Sequence, residues 1–157
     1  MGPADLLDCI TLDRLALGGL WSEPQWLREL TEPLRPVMGW RNQEGKLLAL
    51  ASAWLVVDEL HITAVAVHPD HRRIGLGRGV LEALLTAARV AGAEMATLEV
   101  SSANGAGKAL YASLGFSDVA LRRNYYRNGD DALIKVIKLS NLASQALEPM
   151  GSTLQST

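Results

Sequence analysis

The apolar run Leu60–Val67 ends in His68-Pro69-Asp70-His71-Arg72-Arg73-Ile74-Gly75-Leu76-Gly77-Arg78-Gly79, and an amphipathic helix starts from that turn. The helix carries Leu76, Val80, Leu81, Leu84, Leu85 and Ala88 on one face, so it must lie against a sheet or another helix. Gly75 and Gly77 let the backbone approach a ligand without hindrance from a Cβ atom. The first N–H groups of the helix are unpaired and sit at the positive end of its dipole. Arg72, Arg73 and Arg78 add full charges beside them. This turn is built to hold an anion, and a pyrophosphate suits it best.

Two familiar phosphate loops are excluded. A dinucleotide fingerprint needs a third glycine where this chain has Val80, and a Walker loop needs Gly-Lys-Ser/Thr, which occurs nowhere in the chain. Downstream, Thr97-Leu98-Glu99-Val100 reads as a short buried strand. Asn104 stands where it would cap a helix bearing Ala109, Leu110 and Tyr111, and Leu114-Gly115-Phe116 ends that helix on glycine. The Arg72-x-x-Gly75-x-Gly77 turn, taken with this second segment, resembles the acetyl-CoA motif of the GNAT superfamily of N-acetyltransferases. Arg122-Arg123-Asn124-Tyr125-Tyr126, the turn Asn128-Gly129-Asp130-Asp131 and the strand Ala132-Leu133-Ile134 are similar to the end of its RimI-like group. That group acetylates the N-terminal alanine of a ribosomal protein. The likeness runs from about Asp5 to Leu139.

A chain of 157 residues suits one domain able to bury a sizeable core. Its net charge of −2 does not suggest nucleic-acid binding, and the arginines cluster locally, as a small anion requires. A single cysteine, Cys9, forbids an internal disulfide and fits a reducing compartment. No basic start precedes a long apolar core, and the apolar stretch Leu47–Val57 is too short to span a bilayer. A soluble, cytoplasmic protein without membrane partners is expected.

Apolar spacing predicts a helix from Pro3 to about Leu17, closed by Gly18-Gly19. Ser22-x-x-Gln25, with Pro24 in the first turn, predicts a second helix with Trp26, Leu27 and Leu30 as its apolar face. Leu47–Val57 and Leu60–Val67 read as antiparallel strands joined at Asp58-Glu59, and helix, strand, helix, strand, turn and strand follow. This order predicts an α/β architecture, and the resemblance makes it the GNAT acyl-CoA N-acyltransferase fold: a mixed, mostly antiparallel central sheet flanked by helices. The strand that usually opens the fold is missing ahead of the first helix. That leaves a sheet edge near Leu47–Val57 for another segment, such as the C-terminal tail, or for self-association. The domain is expected over residues 1–139, with a polar, mobile tail at 140–157.

The resemblance also assigns roles. It implies acetyl-CoA as cosubstrate and a protein N-terminus as acceptor, with Glu99 as general base and Tyr111 as general acid toward the departing thiolate. Partial burial would raise the basicity of Glu99. Val65, Ala66 and Val67 would pair with the pantetheine arm, and an N–H there would polarise the thioester carbonyl. Arg72, Arg73, Ile74, Gly75, Leu76, Gly77 and Arg78 would enclose the pyrophosphate, and Asn104 would bond the coenzyme or serve as a plain helix cap. Trp21, Tyr125 and Tyr126 match positions beside the acceptor groove. The family often reads Glu-Val-Arg-x-Ser-Asn, whereas this chain has Glu99-Val100-Ser101-Ser102-Ala103-Asn104, so contacts made by the Arg and Ser are lost. His68 and His71 lack a third ligand, and no metal is expected. Cys9 lies far from both motifs, so direct transfer without an acyl-enzyme is expected. The alternatives are another peptide terminus or small amine as acceptor, and a module that binds acetyl-CoA without catalysis.

Overall fold

The computed structural model describes residues 1–142. A 3₁₀ turn at Pro3–Asp5 leads into α1 (Leu6–Leu17), which stops at Gly18 in the left-handed conformation, φ 73°. The expected capping box opens α2 (Glu23–Thr31): Gln25 N donates to Ser22 Oγ at 3.4 Å, and Ser22 N donates to Gln25 Oε1 at 2.8 Å. Two satisfied donors and Pro24 in the first turn set where this short helix begins.

Six strands follow in one sheet of order β1-β2-β3-β4-β6-β5: β1 (Val37–Arg41), β2 (Leu47–Val56), β3 (Glu59–Val67), β4 (Met95–Ser101), β5 (Ser117–Arg122) and β6 (Ala132–Lys138). Every pairing is antiparallel except β3 with β4. As expected, no strand precedes α1, but the sequence-based reading also lacked β1, and its open edge at Leu47–Val57 is not found. β1 covers that edge with Val37 opposite Ser52 and Trp40 opposite Ala49. The outer side of β1 receives the N-terminal ammonium, which donates to Val37 O at 3.0 Å.

Alternation along β2 divides the core between the two faces of the sheet. Ala49, Ala51 and Ala53 face α3 (Leu76–Val90), whose Val80, Leu81, Leu84 and Leu85 are fully buried. Small residues on the strand let the leucine-bearing helix lie close, and each leucine so buried stabilises by about 1.5–3 kcal/mol. On the other face Leu50 and Ala66 meet Cys9, Leu12, Trp26 and Leu30 from α1 and α2. The last helix, α4 (Gly105–Leu114), ends on Gly115 at φ 100°. Leu139 and Leu142, around a 3₁₀ turn at Leu139–Asn141, are buried in the α3-side core. The expected mobile tail lies, from residue 143 on, outside the described residues.

One departure from a regular sheet prepares the site. β3 and β4 pair only at Glu59–Met95, Leu60–Ala96 and His61–Thr97, and then part. Where they part, the β2–β3 register slips: Ser52 opposes Ala64 but Ala53 opposes Ile62, leaving Thr63 as the extra residue, its Oγ1 2.9 Å from Ser52 Oγ. A bulge bends its strand and sharpens the local twist. From Ile62 to Val67, β3 therefore presents to β4 a main-chain edge with no ladder partner.

Candidate active site

Two cavities open into the gap between the parted strands. One, of about 300 Å³, is walled by the divergent ends of β3 and β4, with Glu99, Tyr111 and Tyr126 at one side and Leu17 and Leu20 at the other. The second, of about 610 Å³, continues along Val65 and Val67 to Arg72, Arg73 and the start of α3. Leu17, Val65, Asn104 and Tyr111 belong to both walls, so the two form one groove with a polar end and an acidic end.

At the polar end the turn between β3 and α3 takes up a conformation few residues tolerate. Arg73 has φ 65° and Gly75 φ 86°, so two left-handed residues lie just ahead of the helix. Left-handed residues in such a turn let neighbouring N–H groups converge, as an anion-binding concavity requires. The amides of Leu76, Gly77 and Arg78, in the first turn of α3, have no helical carbonyl to bond. Gly77 lies close against β3: a Cβ there would lie 3.2 Å from Val67 Cγ2, which would have to give way.

The arginines divide. Arg73 is exposed at the cavity. Arg72 holds the loop in place, its Nε donating to Val67 O and its Nη2 to Ala16 O, both at 3.3 Å. Arg78, expected over the pyrophosphate, lines the cavity with its guanidinium already engaged by neighbours. Its Nε donates to Glu82 Oε1 at 2.7 Å and its Nη1 to Ser113 Oγ at 2.8 Å, fastening α3 to α4. Ile74 is 65% exposed and lines neither cavity. Asn104 accepts from Gly107 N at 2.9 Å, capping α4 while it faces both cavities.

At the acidic end, Leu98 and Val100 go to the core, so Glu99 projects from the opposite face of β4. The expected partial burial of Glu99 is not found: it is exposed. Its neighbours are tyrosines. The Tyr125 hydroxyl is pushed above its ordinary pKa, first by its hydrogen bond to Glu99 and then by burial and the Glu99 charge. Tyr126 is raised by burial and by the charges of Glu99 and Asp130. Tyr111, packed edge-on to Phe116 with ring centroids 5.9 Å apart, is pushed up to about 12 by burial and then by Tyr126. It is therefore a protonated donor throughout the neutral range.

The loop bearing the tyrosines is tied to the end of β4, in part by Ser101, which stands where the family pattern has Arg. Ser101 Oγ donates to Asp130 Oδ2 at 2.9 Å and Ser102 N to Asp131 O at 2.9 Å. Trp21 lies apart from the groove lining. Its ring packs edge-on to Trp26, centroids 4.8 Å apart, against the α1–α2 core. Ala66 is buried toward the same core. Leu17 and Leu20, which sequence reasoning passed over, take the wall expected of Trp21. Their only signal was their position as apolar residues flanking the Gly18-Gly19 turn. Among the described residues no three His, Cys, Asp or Glu gather to hold a metal, and no helix is long and apolar enough to cross a membrane.

Comparison with known proteins agrees with this geometry. The acetyltransferase (GNAT) family matches residues 8–116. The chain is 43% identical over 102 residues to the [ribosomal protein bS18]-alanine N-acetyltransferase of Escherichia coli K12, covering 63% of this chain and 69% of that protein. It is 35% identical over 136 residues to the N-alpha-acetyltransferase RimI of Mycobacterium tuberculosis, covering 82% and 84%. The crystal structure of the ribosomal-protein-S18-alanine N-acetyltransferase from Escherichia coli superposes with a TM-score of 0.80 at 33% identity, over 91% of this chain and 96% of that one.

Proposed function

We propose a reaction from the premise that this chain belongs to the acetyltransferase (GNAT) family: it moves acetyl from acetyl-CoA to the N-terminal α-amino group of a protein. The acceptor we favour is the N-terminal alanine of a ribosomal protein, in keeping with the ribosomal protein bS18 alanine named for the Escherichia coli relative. The observation that carries the reading is the continuity of the groove, with a phosphate nest at one end and Glu99 and Tyr111 on one wall at the other.

The residues present fit acetyl-CoA. The nest at Arg73–Arg78 suits a pyrophosphate, and the unpaired edge of β3, including Val65–Val67, suits the amides of a pantetheine arm laid along it like a strand. Acetyl-CoA supplies the acetyl group already activated as a thioester. A backbone N–H of the β3 edge polarises its carbonyl in this reading. An α-amino group has a reference pKa of about 7.7–8.0 and is mostly protonated near neutrality. Glu99, directly or through a water, takes the ammonium proton so that the nitrogen lone pair is free to attack. As the new C–N bond forms and the C–S bond breaks, Tyr111 gives its proton to the sulfur, and the second proton lost by the nitrogen restores the Tyr111 phenol. With Cys9 buried against α2 and not among the groove's lining residues, transfer is direct.

The test is incubation with acetyl-CoA and peptides beginning with Ala, Ser or Met, or carrying an internal Lys, with the acetyl group located by mass spectrometry. Acetyl on the α-nitrogen of the Ala peptide is expected. Modification confined to lysine side chains would overturn the N-terminal reading. Coenzyme binding without transfer would leave a non-catalytic acetyl-CoA module.

A further inference from the structure

Asp13 belongs to α1 and touches neither cavity, yet it is 1% exposed and collects an unusual set of donors. Its backbone carbonyl accepts from the N–H of Gly18, which ends the helix, and from that of Gly19 at 3.3 Å. Its carboxylate continues the series. Oδ1 accepts from Leu20 N at 2.7 Å, and Oδ2 accepts from Trp21 N at 3.1 Å and from Trp26 Nε1 at 2.8 Å. Four consecutive amides of the α1–α2 connection thus end on one residue, and a fifth donor ties that residue to α2.

The connection needs such an anchor. Gly18 and Gly19 both have positive φ, 73° and 86°, and nothing lies within 4 Å of where a Cβ would be on either. Two adjacent glycines with no side-chain packing have wide conformational freedom. The residues on either side of them, Leu17 and Leu20, form the wall that faces Glu99 across the groove. Both are partly open to solvent, at 38% and 47%, so packing of their own side chains does not fix them.

We propose that Asp13 is a positioning residue for the acceptor. By gathering the N–H groups of Gly18–Trp21 it holds Leu17 and Leu20 at the distance from Glu99 that the acceptor's first side chain requires. The proposal rests on the acetyl-transfer reading above. Its signature is a split between substrates, because the coenzyme nest is built from the β3–α3 turn, which meets α1 only ahead of the Gly18–Trp21 connection, at Ala16 and Leu17.

The test compares Asp13→Asn and Trp26→Phe with the unaltered chain. In Asp13→Asn an NH₂ replaces one acceptor, and it meets a donor whichever way the amide turns. The peptide KM should rise about tenfold or more, with acetyl-CoA affinity changed by less than about twofold. Amide exchange should quicken at Leu20 and Trp21 while Gly18 and Gly19, bonded to the main-chain carbonyl, stay protected. Trp26→Phe removes one donor but leaves an aromatic ring, smaller than the indole, in that buried site, so it tests the anchor even if Asp13→Asn fails to fold. It should raise the peptide KM by about twofold to fivefold, again without a change for the coenzyme. An unchanged peptide KM in both variants, or equal losses for peptide and coenzyme, would overturn the role. If the unaltered chain acetylates no peptide, the parent reading fails and takes the acceptor role of Asp13 with it, although the exchange pattern persists.

Discussion

At the scale of single residues, the two groups proposed to move protons differ in how their surroundings prepare them. Tyr111 is held neutral by burial, its pKa pushed up to about 12, so it carries a proton at any pH at which the chain works. Glu99 is exposed and meets tyrosine hydroxyls. Replacing Tyr111 by Phe keeps the ring packed on Phe116 and removes only the hydroxyl that gives the proton. Turnover should fall by about 10²–10⁴-fold while acetyl-CoA affinity, read by calorimetry, is unchanged. A turnover within about twofold of the unaltered chain would remove Tyr111 from the mechanism. The pH profile gives a second reading of the same residue. Activity should rise with deprotonation of the acceptor amine and then stay level to about pH 10, since the acid is lost only as pH approaches the raised pKa. A falling limb centred near pH 8 or 9 would assign the acid to another group.

Among the elements, the turn into α3 carries the sharpest contrast. Gly75 has φ 86° with open space where a Cβ would lie, whereas Gly77 meets Val67 Cγ2 at 3.2 Å. Gly75→Ala should therefore cost only conformation, about 1–2 kcal/mol, and should weaken acetyl-CoA binding because that conformation aims the nest. Gly77→Ala should instead displace Val67 from the coenzyme groove and weaken binding with a smaller loss of stability in urea. Equal coenzyme affinity in both variants and the unaltered chain would separate this turn from the ligand. The turn, the strand to Glu99 and the capped helix to Tyr111 were legible because each has a chemical marker at a fixed offset: glycine with arginine, a lone carboxylate in an apolar run, asparagine before the helix. β1 was not. Val37-Met38-Gly39-Trp40-Arg41 holds a glycine and little alternation, and its pairing with β2 decides it. Side-chain direction was equally hidden, so Arg78 reads as a phosphate ligand until Glu82, one helical turn on, is seen to take it. The anchor at Asp13 is invisible in sequence because its five donors are gathered by a turn whose glycines signal only that a helix stops.

For the whole molecule, the two faces of the sheet each bury a weak acid whose ionisation folding opposes. Cys9, at 0% exposure in the α1–α2 cluster, is pushed from 9.0 up to about 12, first by burial and then by the charge of Asp5. Tyr111, against the α3-side core, is moved from 10.0 to about 12. Both folded-state values lie above the unfolded ones, so between them the folded chain binds more protons than the unfolded chain. The stability concerned is fully present below about pH 9 and is lost as pH rises toward 12. Each unit of difference is worth about 1.4 kcal/mol, so the loss reaches a few kcal/mol, a large part of an ordinary domain's 5–15 kcal/mol. The thiol acts first, since its unfolded value is the lower of the two. Urea unfolding measured at pH 8, 9.5 and 10.5 should show the midpoint falling across the series at constant m-value. Cys9→Ala should lower the pH 8 midpoint slightly, through the small cavity it leaves, and flatten the decline between pH 9 and 10.5. The remaining decline should then begin only above pH 10, where the Tyr111 phenol starts to ionise in the unfolded chain. A Cys9→Ala chain that loses stability from pH 9 as steeply as its parent would place the alkaline sensitivity elsewhere than in these two cores.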